Sequence, residues 1–218
     1  MPDPISIRPV LSNVTFCEDD FPLLTAGAQL PQMDGSRRFQ HYYKACASAF
    51  ERWCRYQIFP QAQQLYRQAL DTAAPIPQWY AALQATITCH TDHLLSLYTE
   101  TTLTGPPQRT VLRRADTWDL RHRLPMTAAE FFPPRTHWRA LLLRQAAQQI
   151  RQQESQGIAA YDPHWNKKLR HYFHPQRFYL TPDGLCFFFP MDTIAPPVEG
   201  IPTFCLPYNR ENGPFPPK

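Results

Sequence analysis

Residues 177–208 read Arg-Phe-Tyr-Leu-Thr-Pro-Asp-Gly-Leu-Cys-Phe-Phe-Phe-Pro-Met-Asp-Thr-Ile-Ala-Pro-Pro-Val-Glu-Gly-Ile-Pro-Thr-Phe-Cys-Leu-Pro-Tyr, two strands and a turn, then a stiff crossing and a third strand. Arg177–Thr181 is aromatic and aliphatic, a composition that suits a pleated strand. Pro182-Asp183-Gly184 is a turn: Pro presets φ, Asp bonds its own backbone and Gly accepts positive φ. Leu185 to Phe189 is apolar at every position, which predicts a strand buried on both faces. A Pro-rich crossing follows from Asp192 to Gly200, and Ile201–Tyr208 supplies a further strand. With no charged side chain between Leu185 and Pro190, this stretch is core.

Outward from this ribbon, the chain alternates helical and extended patterns. Ile5–Cys17 is β-rich, whereas Glu18–Gly35 has no period and is expected to be irregular around a patch at Phe21–Leu24. Phe39, Tyr43, Cys46, Phe50 and Trp53 recur at three and four and define one face of a helix, with Asp34 or Ser36 as its cap. Pro60 is expected to end or kink it, and Gln61–Ala74 resumes helical composition. Trp79–Cys89 and Leu94–Leu103 read as a hairpin around His90-Thr91-Asp92-His93, and Arg109–Leu120 continues an antiparallel meander. Thr127 and Glu130 form a capping box. Trp138, Leu141, Leu142, Gln145, Ala146, Gln149 and Ile150 mark a second long helix within Thr136–Gln156, and Gly157 stops it. Asp162–His174 reads as a short helix, and 210–218 as a frayed tail. The fold class is α+β: antiparallel sheets with two long helices in two closely packed lobes. The lobes divide into an N-terminal strand and long helix at 1–76 and an α+β domain at 77–209.

Composition narrows the function classes. The 218 residues are 43% hydrophobic and 18% charged, a globular balance. The net charge of +4 comes from scattered Lys and Arg, so no nucleic-acid surface is expected. With 7 Gly against 24 Pro, and neither GxGxxG nor a Walker sequence, no nucleotide cofactor is expected, nor any other. Met1-Pro2-Asp3-Pro4 lacks the basic and apolar regions of a signal peptide, and no run reaches the ~18 apolar residues of a membrane helix. On those grounds the expected location is cytoplasmic, without membrane insertion.

The six cysteines are spread widely and show no CxxC. They read as buried thiols, with Cys186 and Cys205, on two strands of the ribbon, as one possible pair. His164, His171 and His174, spaced seven and three apart after Asp162, would share a face if one helix carried them all. They are the candidate metal ligands, with His90 and His93 a weaker pair. Cys89 beside His90 is the one thiol with a histidine neighbour, but adjacent strand residues point to opposite faces.

The residues Phe178-Tyr179-Leu180-Thr181, Asp183-Gly184, Phe187–Phe189, Ile194-Ala195-Pro196, Gly200-Ile201-Pro202 and Pro207-Tyr208 together resemble the C-terminal domain of RsiV. So does Asp119-Leu120 leading to Thr127 and Ala128–Phe132. RsiV-type proteins are membrane-bound anti-sigma factors whose outer domain binds lysozyme. The same domain also occurs beside peptidoglycan deacetylases. The relatives' TGGAHG turn is Thr104-Gly105-Pro106-Pro107-Gln108-Arg109 here, and no role is carried over for it. The resemblance implies a non-catalytic binding or sensing module with a lysozyme-like protein or cell-wall partner. Its expected contact residues are Thr181, Asp183, Gly184, Asp192 and Glu199, on one rim. A metal-dependent hydrolase using the histidines and a cytoplasmic structural or regulatory domain are the alternatives. Oligomeric state is left open.

Overall fold

The computed structural model describes residues 5–33, 36–106, 109–211 and 213–217, with only the backbone of 5–12. Asp34, the four N-terminal residues, Pro107, Gln108 and Lys218, all named above, lie outside the described residues. The chain divides into two compact units, one of Asp3–Ala85 with Thr99–Val111, the other of Thr86–Tyr98 with the chain from Leu112 onward. Among the described residues, the strands form one sheet of six, in which spatial order follows chain order, and a second sheet of three.

In the first unit, β1 (Ile5–Glu18) and β2 (Phe21–Met33) form a long antiparallel hairpin. The stretch expected to be irregular is therefore mostly strand. Pro22, Pro31 and the three residues Ala26, Gly27 and Ala28 between them hide it, because none of these favours a strand. The signal that marks it is the turn. Asp19 and Asp20 both have positive φ, 48° and 62°, the primed-turn geometry whose twist matches paired strands.

Helix α1 (Arg37–Trp53) follows. The Ser36 side chain accepts the Phe39 amide at 3.4 Å, and Phe39, Tyr43, Ala47 and Phe50 are buried. Instead of ending at Pro60, the helix widens into one π segment, Cys54–Ile58, and continues as α2 (Phe59–Thr72). Pro60 offers no N–H and crowds the carbonyl one turn back, and a wider turn relieves both. Ala73 closes α2 in the left-handed region, at φ 52°. Both helices pack against β2. They serve as the crossover to β3 (Trp79–His90), which pairs with β2 in parallel. A parallel pair needs such a crossover, and it is the departure from an all-antiparallel sheet. β4 (Leu94–Thr104) neighbours β3, and a three-residue link permits only the antiparallel hairpin expected there.

The second unit holds the ends of β3 and β4, β5 (Thr110–Asp119) from Leu112 onward, and β6 (Leu124–Pro125). The capping box forms, with Glu130 Oε1 accepting the Thr127 amide at 2.6 Å over the 3-10 turn Ala128–Phe131. α3 (Trp138–Ser155) buries Leu142, Ala146 and Ile150, the centre of the expected stripe, and Gln149 donates to the Cys205 carbonyl at 2.8 Å. α4 is short, Trp165–Tyr172.

The ribbon forms as read. β7 (Phe178–Leu180), β8 (Gly184–Phe188) and β9 (Thr203–Pro207) are antiparallel, and every residue of β7 and β8 is buried. Phe187, Phe189 and Phe204 pack ring against ring with centroids 5.8–6.1 Å apart, at the centre of a core with Phe131, Leu142, Ile150 and Ile194. Cys186 lies directly opposite Cys205, and the two form a disulfide. The one pair that the sequence left open is thus formed, because the register puts both side chains on one face.

Because β7 pairs with β8 through alternate residues, the Leu180 amide faces away from β8. It donates to Ser96 Oγ at 2.8 Å, itself 2.8 Å from Thr117 Oγ1, and both hydroxyls are buried. This side-chain bond satisfies an edge-strand N–H that would otherwise cost about 1–3 kcal/mol. Of the tail expected to be frayed, the described residues 213–215 are tied down. Gly213 and Pro214 are buried, the Asn209 amide donates to the Pro214 carbonyl at 2.9 Å, and the Phe215 amide donates to the Phe131 carbonyl at 2.7 Å.

Candidate functional site

The expected contact residues fall at opposite ends of one strand. Thr181 and Asp183 stand where β7 turns into β8, whereas Asp192 and Glu199 belong to the crossing that leaves β8 at its far end. A five-residue strand spans about 13 Å, so the two sets do not form one rim. At the turn, Thr181 N donates to the Gly184 carbonyl at 2.9 Å, and Tyr208 Oη donates to the Thr181 carbonyl at 2.8 Å. Burial raises the Tyr208 phenol above its ordinary range, so it remains a donor. Gly184 is buried against β9 and presents no surface.

The crossing from Phe189 to Pro202 is pinned at several points. The Phe189 amide donates to the Pro202 carbonyl at 2.9 Å, Thr193 Oγ1 donates to the Pro190 carbonyl at 2.5 Å, and the Asp162 amide donates to the Ile194 carbonyl at 2.9 Å. Ile194 and Ala195 are buried. Glu199 Oε1 accepts the Ala160 amide at 2.9 Å, which makes Glu199 a strut of the crossing. Positive φ at Asp192 (60°) and Gly200 (72°) sets its corners. Outward at the tip stand Asp192, Pro196, Glu199 and above all Val198, 89% exposed on a short 3-10 turn.

The histidines do not converge. α4 begins at Trp165 and ends at Tyr172, so His164 precedes it, His171 sits in its last turn against the Tyr172 ring, and His174 lies beyond it. His174 Nδ1 accepts the Gln176 amide at 3.3 Å. The shared face assumed for them needs a helix longer than the one formed. His93 takes its bond from Arg121 Nε at 2.8 Å, and His90 is exposed at the end of β3. Among the described residues, no three His, Cys, Asp or Glu side chains gather as metal ligands. Cys89 is half-buried and its thiol is pushed up by burial, away from the thiolate a nucleophile needs.

A site that the sequence reading passed over lies in the first unit. β2 and β3 run in register, so Thr25 neighbours Tyr80, Gly27 neighbours Ala82, and Gln29 neighbours Gln84. The alternate rungs, Leu24 with Trp79, Ala26 with Ala81 and Ala28 with Leu83, are buried. The first set lines an open groove of about 460 Å³, joined by Asn13, Thr102 and Thr104. Tyr80 is 52% exposed, and its hydroxyl donates to Gln78 Oε1 at 2.8 Å, which fixes the ring along the strand. The one available signal was the uncharged alternation Tyr80, Ala82, Gln84 on a strand otherwise read only for its core face.

Residues 129–209 match a family model described as a protein of unknown function (DUF3298). No curated protein matches the chain. The crystal structure of a DUF3298 family protein from Pseudomonas aeruginosa PAO1 superposes with a TM-score of 0.59 at 15% identity, covering 95% of this chain and 91% of that one. That of a DUF3298 family member from Bacteroides fragilis NCTC 9343 gives 0.61 at 14% identity, covering 94% and 91%. In the sequence of residues 129–209, and in fold along nearly all its length, the chain is thus similar to DUF3298 family proteins.

Proposed function

We propose that this chain is a non-catalytic binding or sensing module that presents the crossing between β8 and β9 to a protein partner. One observation carries the reading: Val198 stands almost wholly in solvent on a segment whose own backbone is fixed by buried Ile194 and by the Glu199–Ala160 bond. An apolar tip on a preordered loop loses little conformational entropy on binding, which is how rigid scaffolds present recognition loops. The resemblance to the RsiV outer domain supports a lysozyme-like protein as the partner. The Cys186–Cys205 disulfide supports work in an oxidising compartment over the cytoplasmic reading, and no described helix is long and apolar enough to cross a membrane.

Titration with lysozyme by calorimetry tests the proposal. Saturable binding, weakened at least about tenfold by Val198→Asp, is the expected result for an apolar anchor. No association of the unmodified chain removes lysozyme as the partner. Binding that is indifferent to Val198→Asp removes the crossing as its surface.

A further inference from the structure

We infer that the groove on the open face of β2, β3 and β4 is a binding site for an uncharged oligosaccharide. The inference is independent of the protein-binding surface proposed above and uses residues of the first unit alone. Its volume, about 460 Å³, falls within the roughly 300–1,000 Å³ of small-ligand sites.

The lining decides the ligand class. Among the described residues it carries no charged side chain, so an anionic or cationic ligand would find no counter-charge. β2, β3 and β4 each have a strand on both sides, so an added peptide strand finds no free edge there and only side chains can read a ligand. A protein interface concentrates its energy in desolvated aromatic and Arg anchors, whereas the floor here is Gly27 and Ala82. What the groove offers is a ring and polar neutral groups. Tyr80 presents an aromatic face, held in orientation by its bond to Gln78. The carboxamides of Gln29 and Gln84 are both donors and acceptors, and the hydroxyls of Thr25 and Thr102 are too. A pyranose has the complementary surface: an apolar face of C–H bonds that lies on an aromatic ring, and a rim of hydroxyls that each donate and accept. The Gly27–Ala82 rung leaves room for a sugar ring between the Thr25–Tyr80 rung and the Gln29–Gln84 rung.

Calorimetric titration of the full chain with neutral cellotetraose and with neutral chitotetraose tests this. Tetragalacturonate serves as the charged control. Saturable binding of either neutral probe is expected, and preference for chitotetraose would show that the carboxamides read acetamido groups. Tyr80→Ala is expected to weaken binding at least about tenfold, and Tyr80→Phe to weaken it less, because the ring that meets the sugar is kept and only its bond to Gln78 is lost. Ala82→Trp, which fills the floor, is expected to abolish binding while thermal unfolding still reports a folded chain. No saturable binding of either neutral probe overturns the inference, as does equal binding of the charged control or indifference to both Tyr80→Ala and Ala82→Trp. Val198→Asp leaves saccharide binding unchanged, so the two sites fail or stand separately.

Discussion

At Gly184 an ideal Cβ would overlap the Leu206 carbonyl oxygen and lie 3.0 Å from its carbon and 3.1 Å from Pro207 Cα. All three are backbone atoms of the paired strand, so no side-chain rotation relieves the clash. Gly184→Ala is therefore expected to cost at least about 2 kcal/mol, in the upper part of the range for overpacking, and to lower the urea midpoint. An unchanged midpoint would mean that β9 can shift. A second residue-scale consequence follows from Asp162. The Lys168 ammonium, 2.6 Å from its Oδ2, and next the His164 amide, 2.8 Å from its Oδ1, hold the carboxyl below the usual range. The folded chain then takes up this proton at lower pH than the unfolded chain, whose Asp titrates at about 3.9. The contribution is complete above that value and is lost as pH falls through the folded pKa. Asp162→Asn is expected to flatten the loss of stability below about pH 4, seen in urea midpoints measured from pH 6 to 3. An identical acid limb in both proteins would mean that the pair adds nothing measurable.

The elements legible from sequence are those whose signal is local. α1 and α3 follow from three- and four-residue spacings, and β8 from an unbroken apolar run. β2 was illegible because its strand face is built from Ala, Gly and Leu between prolines, and its partner β1 supplies the order that composition withholds. The same holds for the tail, which is fixed by the Phe131 carbonyl at a distant point of the chain. The β1–β2 turn gives this a test. Asp19 and Asp20 occupy the left-handed region, which disfavours side chains with a Cβ by about 1–2 kcal/mol and Asp somewhat less. Asp20→Gly is expected to raise stability by about 0.5–1 kcal/mol, net of the added freedom of the unfolded chain, and to slow hydrogen exchange in 21–33. Faster exchange there would show that the Asp20 side chain itself holds the turn.

For the molecule as a whole, candidate sites are harder to read than the fold because the side chains that line them are brought together by register. Tyr80 and Thr25 are neighbours only because α1 and α2 return the chain in parallel to β2, and no local pattern encodes that pairing. The disulfide is likewise a product of register, with Cys186 and Cys205 separated by 19 in sequence and directly opposed in space. Closing a loop of this length restricts the unfolded chain by about 3 kcal/mol in the chain-entropy account. The remaining thiols differ sharply in access: Cys17 is exposed, whereas burial pushes Cys54 up to about 12. Alkylation of the native oxidised chain is therefore expected to modify Cys17 first, to spare Cys54, and to leave Cys186 and Cys205 unmodified until a reductant is added. After reduction, hydrogen exchange over 178–207 is expected to quicken while the β1–β2 hairpin is unchanged, since the cross-link constrains only the second unit. Exchange over 178–207 that is insensitive to reduction would mean that aromatic packing alone sets the stability of this sheet. The disulfide would then add little to the stability of the fold.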